Sequence, residues 1–220
     1  MFNLKLLSHS FTLILSLSLL ILPVFVLAEK IVPKKSVKIK ADIIKVKKHV
    51  IKNRIHVKHK HWTKKYDSYF KKYSKHYFGL RFPWLWFKAQ SIAESGLNVK
   101  AKSKVGAVGL MQIMPSTYSD IVKKNPKLGD INHPRWNVAA GIFYDRQIYR
   151  KWKDKGIPNS QRLSFTFASY NAGYSKILRA YNKANKGLDI KQQQWSVVKL
   201  NTPNETRAYV HRIKNLMDFK

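Results

Sequence analysis

Six aromatic residues, Trp62, Tyr66, Tyr69, Phe70, Tyr73 and Tyr77, recur at intervals of mostly three and four, with lysines between them. On a helix that spacing gathers the rings on one face and the ammonium groups on the other, so the segment must bury a stripe against a partner element. The stripe reads as core. Downstream, Pro83 opens a second helix toward Glu94, and Gly96 stands where a left-handed residue would end it. Residues 97–114 read as loops or short strands, and Pro115 starts a short helix. Residues 137–152, 160–170, 174–185 and 203–219 each carry apolar positions at helical intervals. No internal repeat is visible. The expectation is a mainly α (α+β) domain over 62–220, long enough to bury its own core.

Charge divides the chain differently. Lys+Arg number 43 against 11 Asp+Glu, a net of +32, and from Lys30 to Lys65 only Asp42 opposes fourteen basic residues. Such a stretch cannot form a core, so 29–61 reads as a basic, flexible arm, or else as a short element docking on an anionic surface. His49, His56, His59 and His61 have no acids or cysteines at ligand spacing, so no metal and no cofactor is expected. The charge favours polyanions: wall polymers, anionic lipid headgroups or nucleic acid. No nucleic-acid reading motif accompanies it, so such binding would be unspecific and salt-sensitive. With no cysteine, disulfides, thiolate sites and a cysteine nucleophile are excluded.

Residues 1–28 place Lys5 before an apolar stretch that breaks at Pro23 and ends Val26-Leu27-Ala28, as in a secretory signal cleaved after Ala28. Export to the periplasm or cell wall follows. The stretch from Leu6 is also long enough to remain as an inner-membrane anchor, although the lysines following it oppose the positive-inside tendency.

Glu94 is one of three glutamates, and it ends an apolar helical run. Burial and the negative end of a helix both favour a protonated carboxyl near neutral pH, which a glycosidic acid needs. No aspartate lies within 25 positions of it, though Asp120 or Asp130 could fold back. Eighteen residues on comes Gln112, in Gly109-Leu110-Met111-Gln112-Ile113-Met114-Pro115.

Taken in order, Glu94-Ser95-Gly96, Ser103 and Gly106, that glycine-led block, Ser169-Tyr170-Asn171-Ala172-Gly173, and Glu205-Thr206-Arg207-Ala208-Tyr209-Val210 resemble the soluble lytic transglycosylase catalytic domain. The resemblance covers roughly Tyr66 to the C-terminus. Serine before Tyr170 and Tyr118 after the proline block depart from the family's usual residues. It implies a lysozyme-like fold with a deep substrate groove that cleaves the MurNAc–GlcNAc bond of peptidoglycan and leaves 1,6-anhydro-MurNAc ends. By the same resemblance Glu94 is the catalytic acid and base, Ser103 bonds near Glu94 or the acetamido group, and Gln112 binds sugar. Met114 packs on a ring face, Tyr170 orients the Glu94 carboxyl, and Asn171, Glu205 and Tyr209 line the groove.

Each role has a plainer alternative: a turn for Ser103, core packing for Met114, a structural bond for Tyr170, a helix stop at Asn171-Ala172-Gly173. Thr202-Pro203-Asn204-Glu205 has the form of a capping box, which explains Glu205 without chemistry. Three classes stay open. They are a peptidoglycan lyase acting alone or within a cell-envelope complex, a muramidase-type hydrolase on the same scaffold, and a basic polyanion-binding protein.

Overall fold

The computed structural model describes residues 62–189, 191 and 193–217; the signal or anchor segment and the basic arm lie outside the described residues. The helices are α1 (Asp67–Phe78), α2 (Leu85–Ser95), α3 (Pro115–Lys124), α4 (Pro134–Asp154), α5 (Asn159–Ala172), α6 (Tyr174–Ala184), a single turn α7 (Trp195–Val198) running into a 3₁₀ turn (Lys199–Asn201), and α8 (Asn204–Met217). Among the described residues no strand forms; β structure is confined to two isolated antiparallel bridges, Lys102 to Val108 and Val108 to Ile113. No helix among them is long and apolar enough to cross a membrane.

The aromatic stripe forms α1, but the helix starts at Asp67 rather than Trp62, because Tyr66 takes a left-handed φ of 67°. Trp62 lies near Lys88 instead, 5.7 Å from its ammonium. Lys88 is 1% exposed and spends its charge on the Asp67 carboxylate and the Thr63 carbonyl, so a buried ion pair ties the entry of α1 to α2. Removing one partner of such a pair strands the other charge in the interior.

The long α4 packs against both α1 and α5, while α2 packs on α8 and α5 touches α6 and α8. Phe70, Phe87, Ile142, Trp152 and Phe165 are fully enclosed where these helices meet. Trp152 also donates its indole N–H to Ser169 Oγ at 2.9 Å, which satisfies the buried indole donor where α4 meets α5.

What matters for function is how 97–114 is held. Buried Asn137, in the first turn of α4, accepts the Met111 N–H at 2.8 Å and donates to the Val108 and Ile131 carbonyls at 3.0 Å. Gly109 lets this happen: its φ is +77°, and a Cβ there would sit 2.3 Å from Asn137 Nδ2. Gly141 gives Met111 its room in the same way, with a Cβ 2.8 Å from the Met111 side chain. One amide and two missing side chains thus fix the glycine-led block against α4.

Candidate active site

Glu94 occupies the last turn of α2, which Gly96 ends in the left-handed region (φ 64°, ψ 28°) while donating to the Ile92 carbonyl at 2.9 Å. The side chain keeps partial solvent access. Its carboxyl nonetheless sits among protein groups, and desolvation pushes its pKa up from 4.5 to about 7, against the opposing effects of a hydrogen bond from Tyr209 and the nearby Arg212 charge. The group therefore exchanges its proton near neutrality. That is the property a residue needs if it is to act first as acid and then as base.

Its hydrogen-bond partner comes from α8: the buried Tyr209 hydroxyl donates to Glu94 Oε1 at 2.5 Å. One turn on, Arg212 donates to the Ala93 carbonyl at 3.2 Å, satisfying a C-terminal carbonyl of α2 with a cation. Tyr170, expected to orient the carboxyl, does something else. Its hydroxyl donates to the Met111 carbonyl at 2.8 Å, and its ring meets Tyr144 edge-on at 5.4 Å. Burial, and then the negative charge of Glu94, hold the Tyr170 phenol well above 10. The tyrosine bonded to Glu94 is thus Tyr209, while Tyr170 bonds the glycine-led block.

The remaining expected residues divide. Gln112 adopts a left-handed φ of 46° and donates its amide to the Ala101 and Gly109 carbonyls at 3.2 and 3.0 Å, leaving a partly exposed side chain on the loop. Met114, partly buried, precedes α3 in extended conformation. Ser103 Oγ accepts the Ala107 N–H at 2.9 Å, closing a turn; among the described residues no bond ties it to Glu94. Asn171 Oδ1 accepts from Thr206 Oγ1 at 2.8 Å, joining the end of α5 to α8. Glu205 is exposed in the first turn of α8. The capping box does not close, because the Thr202 hydroxyl donates back to the Lys199 carbonyl at 2.7 Å and α8 begins at Asn204.

Three contributors escaped the sequence reading. Ser91 and Ser95 both donate to the Leu110 carbonyl at 2.9 Å, fastening α2 to the same block. Asp145 in α4 is wholly buried and accepts from Gln90 Nε2 at 3.3 Å. Asp145 Oδ2 and Gln90 Oε1 both lack a partner, and burial drives the Asp145 pKa well above 3.8, with the Glu94 charge adding to the rise. Protonating Oδ2 would supply the one donor this pair lacks. The signal for Asp145 was present: it shares a helical face with Gly141, Ile148 and Trp152. Among the described residues no three of His, Asp and Glu come together as a metal site would require.

The described domain is helical, with a carboxyl at a helix terminus raised to about 7 and bonded by a tyrosine from a distant helix. Residues 81–193 match the family model for the transglycosylase SLT domain, and the chain belongs to that family. It is 34% identical over 106 residues to the soluble lytic murein transglycosylase of Escherichia coli K12, covering 45% of this chain and 15% of that protein. It is 31% identical over 120 residues to the membrane-bound lytic murein transglycosylase F of Yersinia enterocolitica, covering 54% and 23%. The chain thus spans less than a quarter of either relative's length. The crystal structure of the 70 kDa soluble lytic transglycosylase of Escherichia coli superposes with a TM-score of 0.56 at 29% identity, over 71% of this chain and 24% of that one.

Proposed function

We propose that this protein is a peptidoglycan lytic transglycosylase with Glu94 as its single acid/base. The observation that carries the reading is the Glu94 carboxyl, raised by burial to about 7 and held at 2.5 Å by Tyr209, with no second carboxylate bonded to it or to Tyr209 among the described residues. Asp145 is fully buried, and burial drives its pKa well above 3.8. Asp120 pairs with Lys123 on the surface, and Asp130 caps the Asn132 N–H in a turn. A two-carboxylate hydrolase needs its second carboxylate facing the sugar. The hydrolase reading is therefore the weaker.

In this mechanism protonated Glu94 gives its proton to the departing glycosidic oxygen as the MurNAc C1–O bond breaks and the sugar gains oxocarbenium character. The resulting Glu94 carboxylate, kept in place by the Tyr209 hydroxyl, takes the proton from the C6 hydroxyl of the same sugar. The C6 oxygen then bonds to C1 and closes the 1,6-anhydro ring. Glu94 ends protonated as it began, so no water is consumed. Gln112 and Met114, on the block that Asn137, Tyr170 and the two serines hold, would meet the sugar rings; Asn171 would shape the opposite side. The substrate places the enzyme outside the cytoplasm, in the periplasm or wall. Replacing Glu94 with Gln preserves size and the bond from Tyr209 but removes the proton shuttle, so turnover of sacculi should fall at least about 10²-fold with circular dichroism unchanged. Retained turnover would move the chemistry to another residue.

A further inference from the structure

A concavity that shares no residue with the Glu94 site opens where α1 meets the end of α3 and the start of α4. It is open to solvent, with a volume of about 670 Å³. Five cations line it, Lys71, Lys72, Lys75, Lys127 and Arg135, together with the rings of Tyr73, Tyr77 and Trp136 and no acid. Among the described residues none of these cations is in an ion pair. Its central group is built rather than draped over the surface. Arg135 Nε donates to the buried Tyr73 hydroxyl at 2.9 Å, and the guanidinium lies 4.4 Å from the Trp136 ring centroid. One edge of Arg135 is thereby fixed, which leaves its two terminal nitrogens as a pre-set fork.

Trp136 is positioned just as deliberately. A Cβ at Gly129 would stand 2.4 Å from its indole nitrogen, and the Tyr118 hydroxyl holds the Gly129 carbonyl. Asn125 Nδ2 donates to the Tyr77 hydroxyl at 3.1 Å, setting the other wall. An oriented guanidinium on an indole platform, ringed by lysines, suits an anionic group carried on a partly apolar, flexible chain.

We propose that this pocket grips the carboxylates of the peptide stems that branch from the glycan, so that the domain holds its substrate at a point apart from the bond it cleaves. The inference rests on the lytic transglycosylase reading, because that substrate repeats a carboxylate-bearing peptide along every strand. The Arg135 fork takes the stem carboxylate, the lysines raise the local concentration of anionic stems, and the half-buried rings of Trp136 and Tyr77 receive the aliphatic parts of the peptide.

The test compares binding of the full chain to intact sacculi and to the same glycan stripped of its stems by an amidase, both in a Glu94→Gln background so that nothing is cleaved. Arg135→Gln with Lys127→Gln should weaken binding to intact sacculi about tenfold, the equivalent of about 1.4 kcal/mol, and leave binding to stripped glycan unchanged. Lys71→Gln with Lys127→Gln, both exposed lysines, should move the same way and guards against a folding defect from losing the Tyr73 bond. An equal loss on both substrates, no loss on either, or displacement by inorganic polyphosphate but not by free stem peptide would overturn the proposal. Its failure is separable from that of the proposed activity. With Glu94 intact, the Arg135/Lys127 variant should release anhydro ends from stripped glycan as the parent does, whereas a parent that releases none removes the premise itself.

Discussion

Removing one hydroxyl, by Tyr209→Phe, should raise the pKa of Glu94. The phenol donates to Oε1 at 2.5 Å, and this bond lowers a pKa that burial raises to about 7. A hydrogen bond to a charged group contributes roughly 1.5–3 kcal/mol, and one pKa unit corresponds to about 1.4 kcal/mol. Losing it favours the neutral acid by about one to two units, so Glu94 should keep its proton to about pH 8–9. Because the proposed cleavage begins with protonated Glu94, the alkaline limb of kcat/KM against pH should move upward by that amount. The rate at the optimum should fall about tenfold, since Oε1 also loses the group that positions it. Tyr209 is 4% exposed and Phe fills nearly the same volume, so the fold should survive. The assay is release of soluble muropeptides from purified sacculi between pH 4 and 10. An alkaline limb that stays put, or moves to lower pH, would refute the reasoning.

Glu94 should also limit stability in a pH-dependent way. Its folded pKa of about 7 lies above the ordinary 4.5, so its cost is absent below about pH 4.5, grows as pH rises, and is complete above about 7. Glu94→Gln should therefore gain up to roughly 3 kcal/mol over the parent at pH 8 and almost nothing at pH 4, by urea denaturation; an equal gain at both would refute it. Asp145 faces Gln90 with one oxygen unpartnered, so Asp145→Asn, which supplies a neutral donor, should cost under about 1 kcal/mol and leave the alkaline limb where it is. If Asp145 were ionised in the native protein, removing its charge would lower the Glu94 pKa and draw that limb to lower pH.

The helical architecture could be read from spacing because each amphipathic face obeys a local rule. The edges could not. Tyr66 turns left-handed before α1, and α4 starts at Pro134, three residues before its apolar pattern, because His133 Nδ1 accepts the Arg135 N–H and proline suits the first turn. A single turn such as α7 is too short to show a period. Within the candidate site, the placement of Glu94 in the last turn of a helix could be read from its apolar context and the glycine stop. Which tyrosine reaches it was not. Tyr170 and Tyr209 offer the same hydroxyl, and only the packing of α8 on α2, across 115 residues of sequence, gives the bond to Tyr209. Ser103 and Glu205 fit a motif order that says nothing of side-chain direction; one closes a turn and the other faces solvent. Asp145 and Asn137 act through the interior, where a polar residue is revealed by what it must bond.

The central claim is that one carboxyl and a hydroxyl of the substrate itself suffice. Mass spectrometry of the muropeptides that the purified protein releases from sacculi in ¹⁸O-labelled water tests it most directly. The account predicts 1,6-anhydro-MurNAc ends without ¹⁸O. Reducing MurNAc ends carrying ¹⁸O at C1 would contradict it, because a water molecule would then have done what the C6 hydroxyl is held to do.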